Sequence, residues 1–246
     1  MRSVFNVALA AIFSIFIMEY AHSQDAKQDN KLDPVKYGFF KEKLGNMTSE
    51  GRLEDGKKEG NWVTYYPTGV VSKVEEYHNG LKNGLFLEID SKGTITGESF
   101  YKNDMLDGVS KTFVRGMKYG YVKNYKENKL DGSTVIYYED GTIQEEAWYK
   151  MGLRDSVTTW YNMHGKKVQS NFYRDGKFDG LSLTYHPNEK VKIEKNYVMD
   201  VLNGPYKEYD TAGVLIISGK YIDGNKKGEW LTYDESGKLI SKEKIK

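Results

Sequence analysis

The sequence predicts an all-β chain: an elongated antiparallel β-meander built from eight 24-residue hairpin repeats. Three columns of turn-forming residues predict it. Gly60, Gly84, Gly108, Gly132, Ser156, Gly180, Gly204 and Gly228 stand 24 residues apart with no insertion and one serine exception. Four residues before each stand Gly56, Gly80, Asp104, Asn128, Gly152, Gly176, Asp200 and Gly224, all types that tolerate positive φ. A third column, Gly69, Gly93, Gly141, Gly165, Gly213 and Gly237, keeps the same step and fails only at Met117 and Glu189, which lie beside Gly116 and Asn188. A fixed period decides the architecture before residue propensity does. Two reversals per unit separate short strands such as Trp62 to Tyr66 and Val70 to Tyr77, and the dipeptides Asn83-Gly84, Asp131-Gly132 and Asp179-Gly180 are read as hairpin turns. The competing architecture is a parallel β-solenoid, in which each 24-residue rung stacks on the next. Those hairpin-type dipeptides argue against it.

The segments follow in chain order. Residues 1–23 have the form of a signal peptide: Arg2 gives a positive start, Val4 to Met18 form a mostly apolar run, and Ala21 and Ser23 supply small residues for cleavage after Ser23. That run falls short of the ~20 residues a membrane span needs, which disfavours an uncleaved anchor. Residues 24–36 are a polar spacer with nothing to bury. Residues 37–52 are read as a degenerate half-repeat capping the N-terminal edge, with Gly45 one period before Gly69, and residues 53–246 hold the eight repeats. Export to the periplasm or cell surface, or secretion, is therefore expected.

Composition narrows the chemistry. With 36 Lys and Arg against 35 Asp and Glu, the net charge of +1 gives no footprint for nucleic acid. The absence of cysteine removes disulfides, thiolate metal sites and thiol nucleophiles. Tyr (20), Phe (10) and Trp (4) are plentiful, so aromatic side chains do much of the burying. Tyr77, Tyr101, Tyr125, Tyr149, Tyr173, Tyr197 and Tyr221 form one ladder. Tyr65, Ile89, Phe113, Tyr137, Tyr161, Tyr185, Tyr209 and Tyr233 form another. Alternation along a strand sets Val63 beside Tyr65, Leu87 beside Ile89, Val135 beside Tyr137, Leu183 beside Tyr185 and Leu231 beside Tyr233. This stripe, with Val71, Ile95, Ile143, Val191, Leu215 and Leu239, is the expected core.

The run from Tyr173 through Gly176, Phe178, Asp179 and Gly180 to Tyr185 resembles the bacterial variant of the MORN repeat, and Tyr125 to Gly132 matches it nearly as well. The resemblance extends over residues 53–246. It implies a binding or scaffolding module. Some proteins of this kind associate with membranes or lipid headgroups, and bacterial members are often labelled antitoxins; an exported immunity protein is the form of that label compatible with a signal peptide.

Catalytic or metal constellations find little support. His78, His164 and His186 occupy a turn and two different registers, so they do not converge. Asp107, Asp131, Asp155 and Asp179 line one edge, but units of a meander lie about 9.6 Å apart. Two ligands of one Ca²⁺ can be only about 5 Å apart. A turn role fits those aspartates better. No enzyme, cofactor or metal is therefore expected, and a monomer is.

The third repeat departs most from the pattern, with Lys111, Arg115, Lys118, Lys123, Lys126 and Lys129 interleaved among Phe113, Tyr119, Tyr121 and Tyr125. Lys118, Tyr119 and Tyr121 are candidate partner contacts. Trp148 and Trp160 join them because neither belongs to a regular aromatic column. The leading reading is a non-enzymatic module for protein or cell-envelope interaction. The alternative is a lipid or carbohydrate binder using exposed Trp62, Trp148, Trp160 and Trp230.

A 16-strand meander over residues 53–246 should extend about 75 Å at about 4.8 Å per strand, against about half that for the solenoid. Small-angle scattering distinguishes them: a monomer with a maximum dimension of about 40 Å contradicts the meander.

Overall fold

The computed structural model describes residues 36–246 apart from 115 and 117, so the segment expected to be a signal peptide and all but the last residue of the expected spacer lie outside the described residues. Two compact units divide the chain at Met105 and Leu106. In the first, β1 (Gly38–Leu44), β2 (Met47–Glu54), β3 (Lys57–Tyr65), β4 (Val71–His78), β5 (Leu81–Ile89) and β6 (Ile95–Lys102) pair antiparallel, each with the next. The second runs from β7 (Met105–Val114) through β8 (Lys118–Lys126), β9 (Lys129–Tyr137), β10 (Ile143–Lys150), β11 (Leu153–Arg154), β12 (Ser156–Tyr161), β13 (Lys167–Arg174), β14 (Lys177–Tyr185) and β15 (Val191–Val198). It continues through β16 (Val201–Tyr209), β17 (Leu215–Ile222), β18 (Asn225–Tyr233) and β19 (Leu239–Ile245). Here too neighbours in sequence are neighbours in the sheet, β11 and β12 both pairing with β10. Both units are antiparallel meanders.

The two reversals have different chemistry. One is a two-residue turn with both central residues at positive φ, as in Asp55 (51°) and Gly56 (74°) or Asp175 (50°) and Gly176 (82°), the hairpin turn that matches strand twist. The other is a three-residue loop: Gly69 N–H donates to the Tyr66 carbonyl and Tyr66 N–H to that of Val70. The Gly60 column is not a third reversal. Gly132 and Gly180, at φ 104° and 131°, lie inside β9 and β14, where the register slips against the preceding strand, so the Asp-Gly pairs read as turns are bulges. The dipeptide signals positive φ, which bulge and turn share.

The two-residue turns also tie each repeat to the one before it. The second turn residue donates its N–H to a carbonyl 22 residues upstream, Gly80 to Lys58, Gly152 to Leu130 and Gly224 to Leu202, at 2.7–2.9 Å. Where Asp or Asn replaces that glycine, its side chain adds a second bond: Asp104 accepts from Lys82 N–H, Asn128 from Leu106 and Asp200 from Phe178. The carboxylates of Asp107 and Asp131 accept N–H groups from the following turns, at Glu127 and Met151.

Each sheet is one layer, and both of its faces bury side chains. Val63, Leu87 and Ile89 of the expected stripe are buried, but Val135, Leu183 and Leu231 are only half-buried, and Leu239 is exposed. The more consistently buried column lies on the opposite face: Trp62 and Phe86 in the first unit, then Ser110, Thr134, Thr158, Ser182 and Trp230 in the second. Trp62, 1% exposed, lies flat over Gly51, where an added Cβ would fall 2.5 Å from an indole carbon. Its N–H donates to the Arg52 carbonyl at 3.0 Å and the Lys58 ammonium sits 4.0 Å from the ring. Trp230 covers Gly219 in the same way. The expectation that Trp62 and Trp230 are exposed contacts is therefore corrected.

On the Val63 face the tyrosine column is held by hydroxyls. Tyr161 donates to Glu146 at 2.6 Å, Tyr209 to Glu194 at 3.1 Å and Tyr185 to Ser170 at 3.5 Å. Ile89, with no hydroxyl, has Val74 at the position that supplies those acceptors. Burial first, and then the neighbouring carboxylates, push Tyr65 and Tyr161 of this column, and Tyr77 and Tyr206 on the Trp62 face, up to about 12. Because these values exceed the ordinary ~10, the tyrosine contribution is complete below about pH 10 and is lost as pH rises through about 12. Circular dichroism and tyrosinate absorbance should therefore change together in that window; tyrosines that all ionise near 10 with the fold intact would contradict the ladder.

Candidate functional site

The residues singled out in the sequence separate into two groups on opposite faces. On the Trp62 face, Tyr121 pairs with Thr112 and lies 4.3 Å from the Lys123 ammonium. Trp160, also on this face, is half-buried, and its N–H donates to Glu145 at 2.8 Å. Glu145 in turn accepts from Arg154 at 2.7 Å, and the guanidinium lies between Trp160, Tyr149 and Tyr173 with ring distances of 5.3–5.6 Å. The cluster is a closed internal arrangement of acid, cation and rings.

The Val63 face carries Trp148 and Tyr119. Tyr119 packs at a tilt against Phe113 and Tyr137, with ring centroids 5.4 and 5.8 Å apart, while the Lys118 ammonium donates to the Asp140 carbonyl at 2.6 Å. Trp148 is 51% exposed. Its strand neighbours form an apolar row: Val157 and Leu181 are exposed and Phe172, paired with Val157, is half-buried. Asn124 and Ser133, joined by a 2.8 Å bond, close one end of the row, and Asn196, paired with Leu181, closes the other.

The exposure of Trp148 has a steric cause. In this column the side chains of Glu76, Asn124, Phe172, Asn196 and Lys220 lie over the bulge residue eight positions on, which is glycine in each case. A Cβ on Gly180 would stand 3.1 Å from the Phe172 ring, one on Gly204 3.1 Å from Asn196, and one on Gly132 3.3 Å from Asn124. Under Trp148 the bulge residue is Ser156, which keeps positive φ (67°) and has a Cβ where the ring would lie. The strand breaks there into β11 and β12, and a groove of ≈ 360 Å³ opens between Glu146, Trp148, Ser156, Val157 and Thr159. The serine exception was visible in the sequence. Its link to Trp148 was not, because it depends on a contact eight residues away across a turn.

The remaining candidates do not assemble. His78 pairs with Glu59 at 2.9 Å, His186 contacts the Tyr209 carbonyl at 2.8 Å, and His164 is exposed in a loop. Among the described residues no three His, Asp or Glu side chains gather as metal ligands. Four stretches, residues 58–79, 130–151, 178–199 and 226–246, match the family model described as MORN repeat variant. In those four stretches the array is similar to MORN repeats. No curated protein matches the chain.

Replacing Ser156 with Gly should let Trp148 settle over the bulge as Phe172 does, and relieve about 1 kcal/mol of backbone strain. Acrylamide quenching of tryptophan emission should fall and the unfolding midpoint rise. Unchanged quenching would show that Ser156 does not hold the indole up.

Proposed function

We propose that this MORN-like chain is an exported, non-enzymatic binding module that engages a protein partner at the cell envelope through the Val63 face of its second unit. The carrying observation is Trp148, half-exposed at the head of the apolar row of Val157, Phe172 and Leu181. Solvent-exposed aromatics beside aliphatic side chains are the usual anchors of protein interfaces. The apolar run of residues 4–18, followed by Ala21 and Ser23, supports export.

The two tryptophans first paired as contacts should behave differently. Trp148→Ala should change stability by no more than about 0.5 kcal/mol. Trp160→Ala, which leaves Glu145 and Arg154 without the indole, should cost about 2–4 kcal/mol. Chemical denaturation measures both. Partner retention on the immobilised mature chain should fall for Trp148→Ala; retention equal to the parent would overturn the assignment of the face.

A further inference from the structure

We propose that the groove beside Trp148 receives a cationic side chain, the guanidinium of arginine or the ammonium of lysine, from an extended segment of the partner; this rests on reading the array as a binding module. The chain itself shows what its tryptophans take. Lys58 lies 4.0 Å from the Trp62 ring, Lys226 4.2 Å from that of Trp230, and Arg154 5.3 Å from that of Trp160. Among the described residues no lysine or arginine lies over Trp148. The attraction is that of a cation for the negative face of the indole, and it strengthens when water is displaced.

A carboxylate stands where such a cation needs one. Glu146 is two residues from Trp148 on β10, on the same face and about 7 Å along the strand. It lines the groove, is half-buried and accepts one hydrogen bond, from Tyr161. A carboxylate has about four acceptor positions, and among the described residues no lysine or arginine pairs with Glu146. Glu145 and Trp160, on the opposite face of the same hairpin, form the equivalent acid and indole pair, and Arg154 occupies it. Glu146 and Trp148 repeat that chemistry on the open face.

The surroundings select the kind of cation. Val157 and Leu181 extend the groove as an apolar track that suits the methylene stem of lysine or arginine and the residues beside it. An anionic lipid headgroup would place its phosphate against the Glu146 carboxylate, an unfavourable meeting in a partly dry groove. A basic residue in a peptide of mixed character is the occupant favoured by both features.

The test titrates the full mature chain with a blocked Leu-Ala-Arg-Ala peptide and its citrulline and glutamate analogues. The indole N–H resonances are followed, with Trp62, Trp160 and Trp230 as internal references. The arginine peptide should shift Trp148 alone and bind about tenfold tighter than the citrulline peptide, a preference that added salt weakens. Glu146→Gln should abolish the preference while leaving the reference resonances in place. Equal binding of arginine and citrulline, a preference that survives Glu146→Gln, or stronger shifts from the glutamate peptide, a neutral oligosaccharide or anionic vesicles would each overturn the inference. If Trp148→Ala weakens retention of the native partner but arginine shows no preference, the cation assignment falls and the binding face stands. If arginine is preferred at Trp148 while the native partner is retained equally by Trp148→Ala, the proposed face falls instead.

Discussion

A sheet one layer thick has no second layer to cover it, so its apolar side chains must find cover within their own plane. They do so by lying flat across the neighbouring strand, and a flat ring needs a neighbour without a side chain. Trp62 has Gly51 and Trp230 has Gly219; Phe172 rests over the bulge glycine Gly180. Aromatic residues suit this geometry because one ring spans most of the distance between strands. The abundance of Tyr, Phe, Trp and Gly in one chain thus has a single cause: large residues and absent side chains are two halves of the same contact.

Stacking of the turns is the second constraint. A β-meander of identical hairpins can slip in register, and slippage by one residue would exchange its faces. From Gly80 onward, the N–H donated from a two-residue turn to a carbonyl 22 residues upstream fixes one hairpin against the last. Asp104, Asn128 and Asp200 reinforce that bond with their side chains, and so these residue types alternate with glycine in the column. The bulges answer a different need: they add residues to one strand and increase its twist, keeping a repeating single sheet from remaining flat.

Much of this order was legible in the sequence because the period is exact in number and free of insertions. Strand positions, the turns of the Gly56 and Gly69 columns and the tyrosine ladders follow from it. The Gly60 column was misread because an Asp-Gly pair signals positive φ without saying whether the chain reverses or bulges. The buried column at Trp62 was obscured for another reason. Its members Ser110, Thr134, Thr158 and Ser182 read as polar, yet packing of the adjacent columns leaves them buried. Ser182 obtains a hydrogen bond from its hydroxyl to Asn171 at 2.8 Å, a cross-strand partner that no single-strand pattern reveals.

Specialisation in such an array arises where the covering rule is broken. Phe172 shows the rule, its ring lying over the bulge glycine Gly180. A methylene and a hydroxyl at position 156 deny Trp148 the seat that Phe172 occupies over Gly180, interrupt the strand, and leave an indole standing beside the Glu146 carboxylate. The same change would be a defect in a two-layer sandwich, where an unseated ring would disturb the facing sheet. In one layer the displaced ring meets solvent, so the local loss of packing spreads no further than the groove it creates. A repeat scaffold can therefore acquire a contact site by changing one residue in a structural column, with the ladders on either side left intact.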